Sequence, residues 1–257
     1  MPPELPVWAQ TYLYPPLVVV AIWVSMTAGV MYLNRRGPRA ARLGLLLSVP
    51  LLGVAHWQFW EVRYDVSTLG AYRAFAAGMI VWSWHELAFY SGMISGPWRR
   101  PCPAHARGVV RFGYALGTHL YHELACAIEL ALMLYVLGDA RNWVGLLVFC
   151  LNWALQHSAK LNVLLGVPWL QVDLFPPHLR YLGSYWARRP ASAFFLPSVS
   201  VSTLLAGLLW LTAGSLMPDP VAVRLALIAS VVTLGALEHW LLLLPARVAA
   251  AAGQVVE

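Results

Sequence analysis

The sequence predicts an all-α fold, namely a polytopic membrane bundle of about seven transmembrane helices plus a short interfacial helix. Of its 257 residues, 60% are hydrophobic and only 11% are charged, whereas soluble domains contain about 25% charged residues. The apolar residues form long segments, and most Arg residues fall between them. No linker divides the chain, so we expect a single integral membrane domain over residues 1–257. This composition excludes a soluble enzyme.

Seven apolar segments reach or approach the roughly 20 residues that a spanning helix needs. The second segment is short and contains Pro50 and His56, but proline is tolerated where neighbouring helices satisfy the freed backbone groups. The predicted helices are Tyr14 to Leu33, Leu43 to Trp60, Ala74 to Ile94, Phe112 to Leu137, Trp143 to Leu165, Ala193 to Met217 and Val221 to Leu244.

The distribution of positive charge predicts the orientation in the membrane. Thirteen Arg or Lys residues follow the first, third, fifth and seventh segments, and four lie on the opposite side. The positive-inside rule then places the N-terminus in the periplasm and the C-terminus in the cytoplasm. The same rule explains the net charge of +6, so we predict no nucleic-acid partner. The basic loop from Ser95 to Arg111 is a candidate docking surface, although such charge more often reflects topology.

A short amphipathic segment separates the fifth and sixth helices. Within Pro177 to Trp186, Leu179, Leu182 and Trp186 recur at helical intervals. The polar face or the lipid headgroups can take up the charges of Arg180, Arg188 and Arg189. This pattern is typical of a helix that lies in the membrane interface.

Histidine and glutamate side chains lie inside four of the predicted spanning helices, where charged groups are costly and usually mark function. A rise of 1.5 Å per residue places them about 8 to 16 Å from the cytoplasmic ends of their helices. We therefore predict that they share one layer in the cytoplasmic half. The candidate site residues are His85, Glu86, His119, His122, Glu123, His157, Glu238 and His239.

A layer of imidazoles and carboxylates suits iron, manganese or zinc, so the eight residues are candidate metal ligands for a di-iron or other transition-metal site. His119 lies three and four residues before His122 and Glu123, which places the three on one helical face. The ferritin-like Glu-x-x-His spacing and the HExxH spacing are absent from the sequence. Hydrogen bonding between helices for packing alone remains the alternative. We assign His56 to helix packing or the interface, and His105 and His178 to loops.

Four stretches of sequence, which together cover the middle half of the chain, have a recognisable wording. They are WSWHELAFYSGMISGPWRRPCP at Trp82 to Pro103, RFGYALGTHLYHELA at Arg111 to Ala125, SAKLNVLLGVP at Ser158 to Pro168 and FPPHLRYLGSYW at Phe175 to Trp186. Together these stretches resemble the photosynthetic complex assembly protein 2 family, often called PuhE. The resemblance implies a multi-pass protein of the bacterial inner, or intracytoplasmic, membrane that is associated with photosynthesis genes. It implies no catalytic residues.

Two functional classes follow, and the sequence leaves open whether the protein is an enzyme. In the first, which the resemblance implies, the protein supports assembly or accumulation of reaction-centre and light-harvesting complexes. It would contact their subunits or hand over bacteriochlorophyll, whose magnesium accepts a neutral histidine nitrogen. In the second, it is a membrane metalloenzyme, such as a di-iron oxygenase or hydroxylase, that acts on a pigment, quinone or other lipid-soluble substrate.

Overall fold

The chain folds as an all-α bundle in a computed structural model that describes residues 6–170 and 172–244. Within these ranges there are ten α-helices and two short 3-10 helices, and the only β-type contact is an isolated bridge between Val167 and Arg188. The α-helices are α1 Val7–Tyr12, α2 Tyr14–Arg35, α3 Pro38–Leu47, α4 Val49–Val62, α5 Thr68–Tyr90, α6 Gly108–Gly117, α7 Leu120–Leu137, α8 Val144–Leu165, α9 Phe195–Ser215 and α10 Pro220–Leu241.

All seven predicted segments are helical, but two of them are divided. The second forms α3 and α4, which meet at Ser48, because Pro50 in the first turn of α4 has no backbone N–H to continue the preceding helix. The fourth forms α6 and α7, which meet at Thr118 and His119. The prediction of one continuous helix was therefore wrong for the fourth segment, whereas the second stays a single helical unit, Pro38–Val62, with a break at Ser48.

Five helical units are long and apolar enough to cross a membrane. Helix α9 is an example, because it exposes a row of large apolar side chains. Leu204, Leu208 and Leu211 lie along one side of α9 and are 67%, 63% and 75% exposed, as expected where hydrocarbon replaces water. Two further helices, α5 and α8, have 23 and 22 residues but carry more polar groups. The count of seven spans stays a prediction, and the termini at 1–5 and 245–257, which bear on orientation, lie outside the described residues. The five units are Val7–Arg35, Pro38–Val62, Leu120–Leu137, Phe195–Ser215 and Pro220–Leu241.

Helix α5 is the centre of the bundle and packs against α2, α4, α8 and α10. It begins at Ser67, whose hydroxyl accepts a hydrogen bond from the Gly70 N–H at 3.1 Å. The Ser67 contacts also hold the pKa of the Asp65 carboxyl below its ordinary value. The backbones of α5 and α8 touch, because a Cβ on Gly78 would lie 2.5 Å from the carbonyl oxygen of Gly145. This close approach brings the polar side chains of the two helices together.

The segment that we predicted as an interfacial helix forms a 3-10 helix, Pro177–Tyr185, rather than an α-helix; its place at the membrane interface stays a prediction. It packs on the loop that follows α5, because the Tyr185 hydroxyl donates to the Arg100 carbonyl oxygen at 3.2 Å. The Cys102 N–H likewise donates to the Ser184 hydroxyl at 2.8 Å. Arg189, which we expected at the lipid headgroups, donates to the Leu165 carbonyl oxygen at the end of α8. The segment is thus tied to the bundle by hydrogen bonds.

Candidate functional site

The break between α6 and α7 positions the first polar residues of the site. The loop after α5 inserts there, and the Ser95 carbonyl oxygen accepts a hydrogen bond from the His122 N–H at 2.9 Å. Gly96 permits this insertion, since a Cβ on it would lie 2.1 Å from the Gly117 carbonyl oxygen. Glu123 consequently lies in the first turn of α7, facing α8.

The first group of side chains, which we call the Glu123 pocket, surrounds one carboxylate with donors from α8. Lys160 Nζ lies 3.0 Å from Glu123 Oε1. The Trp153 indole N–H donates to Glu123 Oε2 at 2.7 Å, and His157 Nε2 lies 2.9 Å from the same oxygen. His119 Nε2 is farther away, at 3.7 Å from Oε1. Because Trp153, His157 and Lys160 are four and three residues apart, they share one face of α8.

The second group, the Glu129 pocket, lies farther along α7 and contains no fixed cation. His56 Nε2 of α4 is 2.7 Å from Glu129 Oε1, and His85 Nε2 of α5 is 3.3 Å from Oε2. Glu129 is buried, so its charge is balanced by imidazoles from two other helices. His56 therefore does pack between helices, as predicted, whereas Glu129 was missing from the predicted site.

The hydrogen bonds of His56 and His157 show that each of the two pockets carries an additional proton. His56 Nδ1 lies 2.9 Å from the Leu52 carbonyl oxygen, and His157 Nδ1 lies 2.8 Å from that of Trp153. A carbonyl oxygen only accepts, so each Nδ1 carries a hydrogen. The hydrogen bond from each Nε2 to a carboxylate then requires one more proton, either on the imidazole or on the carboxyl group. His56 with Glu129 and His157 with Glu123 are therefore proton-carrying pairs.

A third group joins α5, α7 and α8. Glu86 accepts a hydrogen bond from Gln156 Nε2 at 2.5 Å, and His122 Nε2 lies 3.9 Å from Glu86 Oε1. His122 is fully buried. The Nδ1 atoms of His122 and His85 are buried without a hydrogen-bond partner among the described residues. Buried polar atoms are rarely left unpaired, so these two nitrogens mark unused hydrogen-bonding capacity.

On α10, the neighbouring residues Glu238 and His239 face different surroundings. His239 is buried, with Nδ1 at 2.7 Å from the Gly235 carbonyl oxygen and Nε2 at 2.8 Å from the Ser158 hydroxyl. The serine can donate to Nε2, so this histidine is satisfied as a neutral ring. Glu238 is exposed and lines a cavity. His239 therefore contributes to helix packing, whereas Glu238 lines the cavity.

The cavity has a volume of about 870 Å³ and lies between α2, α5, α8 and α10. Trp23, Met79 and Trp82 line its apolar part. Glu86 of α5 and Glu238 of α10 also line it. Arg35, Asn34, His178 and Arg180 line the end nearest Pro177–Tyr185.

The predicted single layer is thus divided into several hydrogen-bonded groups. His119, Glu123 and His157 are brought together, Glu86 approaches His122, His85 joins Glu129, and Glu238 and His239 diverge. Within residues 6–170 and 172–244, no three or more His, Cys, Asp or Glu side chains form a group that could hold a metal ion. Metal ligation by the eight residues, and bacteriochlorophyll ligation as its alternative, stay predictions.

Sequence reasoning missed Glu129 and misplaced Lys160. The buried positions of α7 include His122, Cys126 and Glu129, a spacing of four and three that repeats one helical face. That periodicity could have identified Glu129 as a buried carboxylate. Lys160 was counted among the thirteen positive charges of the cytoplasmic side, although it lies in α8 and pairs with Glu123.

The fold and the site define an all-α membrane-bundle protein with a buried histidine–glutamate network. The chain belongs to the family described as "Protein of unknown function (DUF3623)", whose profile matches residues 9–251. It is similar to a Rhodobacter capsulatus protein described as "Uncharacterized 30.4 kDa protein in puhA 5'region". The two are 31% identical over 233 residues, which cover 89% of this chain and 85% of the relative. No solved structure matches the chain.

Proposed function

We propose that this integral membrane protein supports the assembly or accumulation of photosynthetic reaction-centre and light-harvesting complexes. The observation that carries the proposal is the similarity to a relative described by its place in the puhA 5' region. It agrees with the resemblance to the photosynthetic complex assembly protein 2 family, which implies the same role. We place the protein in the bacterial inner, or intracytoplasmic, membrane with its Arg-rich loops in the cytoplasm.

The physical character of the bundle supports such a role. Its outer surface is apolar along α9, so subunits of other membrane complexes can approach it within the bilayer. The polar groups are enclosed between α4, α5, α7 and α8 and mostly bind each other. An internal network of this kind holds the helices in a defined arrangement, as an assembly factor that presents a fixed surface requires.

The test is deletion of the gene in the phototrophic bacterium that carries it. We expect lower near-infrared absorption from reaction-centre and light-harvesting complexes per milligram of membrane protein, with recovery when the wild-type gene is restored. Glu123→Gln tests the network, and Glu61→Gln, at an exposed position of α4, is the matched control. Immunoblots report the abundance of each variant. Unchanged absorption after deletion would refute the proposal.

Purified protein distinguishes the predicted bound groups. Near-stoichiometric iron or another transition metal, lost in Glu86, Glu123 and Glu238 variants, would support a metalloenzyme. Bacteriochlorophyll absorption that depends on a single histidine would support pigment transfer. If neither is found and all network variants only lower abundance in the membrane, the network serves helix packing.

A further inference from the structure

We infer that the cavity between α2, α5, α8 and α10 is a binding site for a lipid-soluble hydroquinone, held by hydrogen bonds to Glu86 and Glu238. This inference goes beyond the proposed function and does not depend on it. It rests on the shape of the cavity, on the uneven packing of α2 and on the chemistry of the groups that line the cavity.

The cavity is large and elongated. Its volume of about 870 Å³ lies within the roughly 300–1,000 Å³ of typical small-molecule sites. On α2, the lining extends from Val19 to Arg35, which corresponds to about 24 Å of helix. Such a space accommodates a ring together with part of a hydrocarbon chain.

Helix α2 contacts α5 and α10, but most of its residues are not fully buried. Only Pro15 and Val19 are buried among its residues, although it belongs to one of the five long apolar helical units. Trp23 and Val30 pack partly against the core, and together with Met26 they also line the cavity. The apolar surface that α2 directs inward is therefore available to an apolar ligand.

Two carboxylates, those of Glu86 and Glu238, face this space with few partners in the protein. Among the described residues, Glu238 makes no hydrogen bond or ion pair, and Glu86 accepts one hydrogen bond, from Gln156, and lies 3.9 Å from His122 Nε2. Gln156 also keeps a buried carbonyl oxygen without a partner in the described part of the chain. Carboxylates and carbonyls are acceptors, so the ligand that completes this wall has to donate hydrogen bonds.

The positions of the two carboxylates narrow the ligand class. Glu86 and Glu238 belong to different helices, so a head group that satisfies both needs two hydrogen-bond donors. A hydroquinone has hydroxyl groups on opposite edges of a flat ring, whereas a simple alcohol has one. Trp82 and Tyr90 line the same cavity and offer aromatic surface to such a ring. The oxidised quinone has only carbonyl oxygens there, and these repel carboxylates.

The experiment compares the two redox forms of one probe. Purified full-length protein in lipid nanodiscs is titrated anaerobically at pH 8 with decylbenzoquinol and, separately, with decylbenzoquinone. Affinity is obtained from the dependence of the thermal unfolding midpoint on ligand concentration. We expect the quinol to bind at least tenfold more tightly than the quinone, because tail and ring are shared and only the direction of the hydrogen bonds differs.

Variants connect this preference to the cavity. Glu238→Gln, which breaks no contact within the protein, should remove the preference for the quinol, since an amide can also donate to a quinone. Glu61→Gln makes the same chemical change outside the cavity and should keep it. Thr27→Trp fills the cavity from α2 and should abolish binding of both forms. Absence of quinol binding, equal affinity for the two forms, or a preference that survives Glu238→Gln would overturn the inference.

Discussion

Glu123 and Glu129 are six residues apart on α7, yet the bundle balances their charges in different ways. Glu123 lies beside the ammonium group of Lys160 and also binds Trp153 and His157. Within residues 6–170 and 172–244, the Glu129 carboxylate contacts only the imidazoles of His56 and His85. The Glu123 pocket therefore contains a permanent counter-charge, whereas the charge balance of the Glu129 pocket depends on a bound proton. Similar residues in one helix thus acquire different electrostatic roles from the neighbouring helices.

The largest expected effect comes from removing the permanent counter-charge. Lys160→Met leaves Glu123 largely buried without its cation, and breaking a buried pair costs about 3–5 kcal/mol. Because the Lys160 side chain is 27% exposed, we expect the lower end, about 3 kcal/mol, in the free energy of unfolding measured in detergent. Lys160→Arg, which keeps the charge, is the control. A loss below about 1 kcal/mol would show that the pair behaves like an exposed one.

A smaller effect is expected from the loop that positions the Glu123 pocket. Gly96→Ala places a methyl group 2.1 Å from the Gly117 carbonyl oxygen, so the backbone at the break must move. Overpacking of this kind costs about 1–3 kcal/mol, again measured as the free energy of unfolding. Gly113→Ala makes the same change in α6, where no heavy atom lies within 4 Å of the added carbon. If the two substitutions have equal effects, the loop does not determine the geometry of the break.

The smallest effect concerns the proton-dependent pocket. A double-mutant cycle of His56→Leu and Glu129→Leu should give a coupling energy of about 1–2 kcal/mol, because the side chains bond directly at 2.7 Å. A second cycle, His56→Leu with Glu123→Leu, joins groups with no described contact and should be additive within about 0.5 kcal/mol. Equal coupling in both cycles would contradict the division into two pockets.

Composition predicted much of the fold, because helix formation in an apolar segment depends on local sequence. The breaks at Ser48 and Thr118 were not predicted. The break at Thr118 depends on the loop that follows α5, because the Ser95 carbonyl oxygen of this loop accepts a hydrogen bond from His122 at the start of α7. That contact joins parts of the chain that are distant in sequence. The depth of the polar residues was estimated from helical rise alone, which does not define the direction of a side chain. This is why Glu238 and His239 were predicted to belong to one site, although Glu238 lines the cavity and His239 bonds Ser158 between helices.

The loop that follows α5 connects the surface of the bundle to its interior. Arg99 and Arg100 of this basic loop are exposed. The Ser95 carbonyl oxygen, a few residues earlier, accepts a hydrogen bond from the backbone N–H of His122 inside the bundle. A protein that bound these arginines would therefore contact the segment whose backbone is hydrogen-bonded to the first turn of α7, one residue before Glu123. Recognition at the surface and the geometry of the buried carboxylate would then share one stretch of chain.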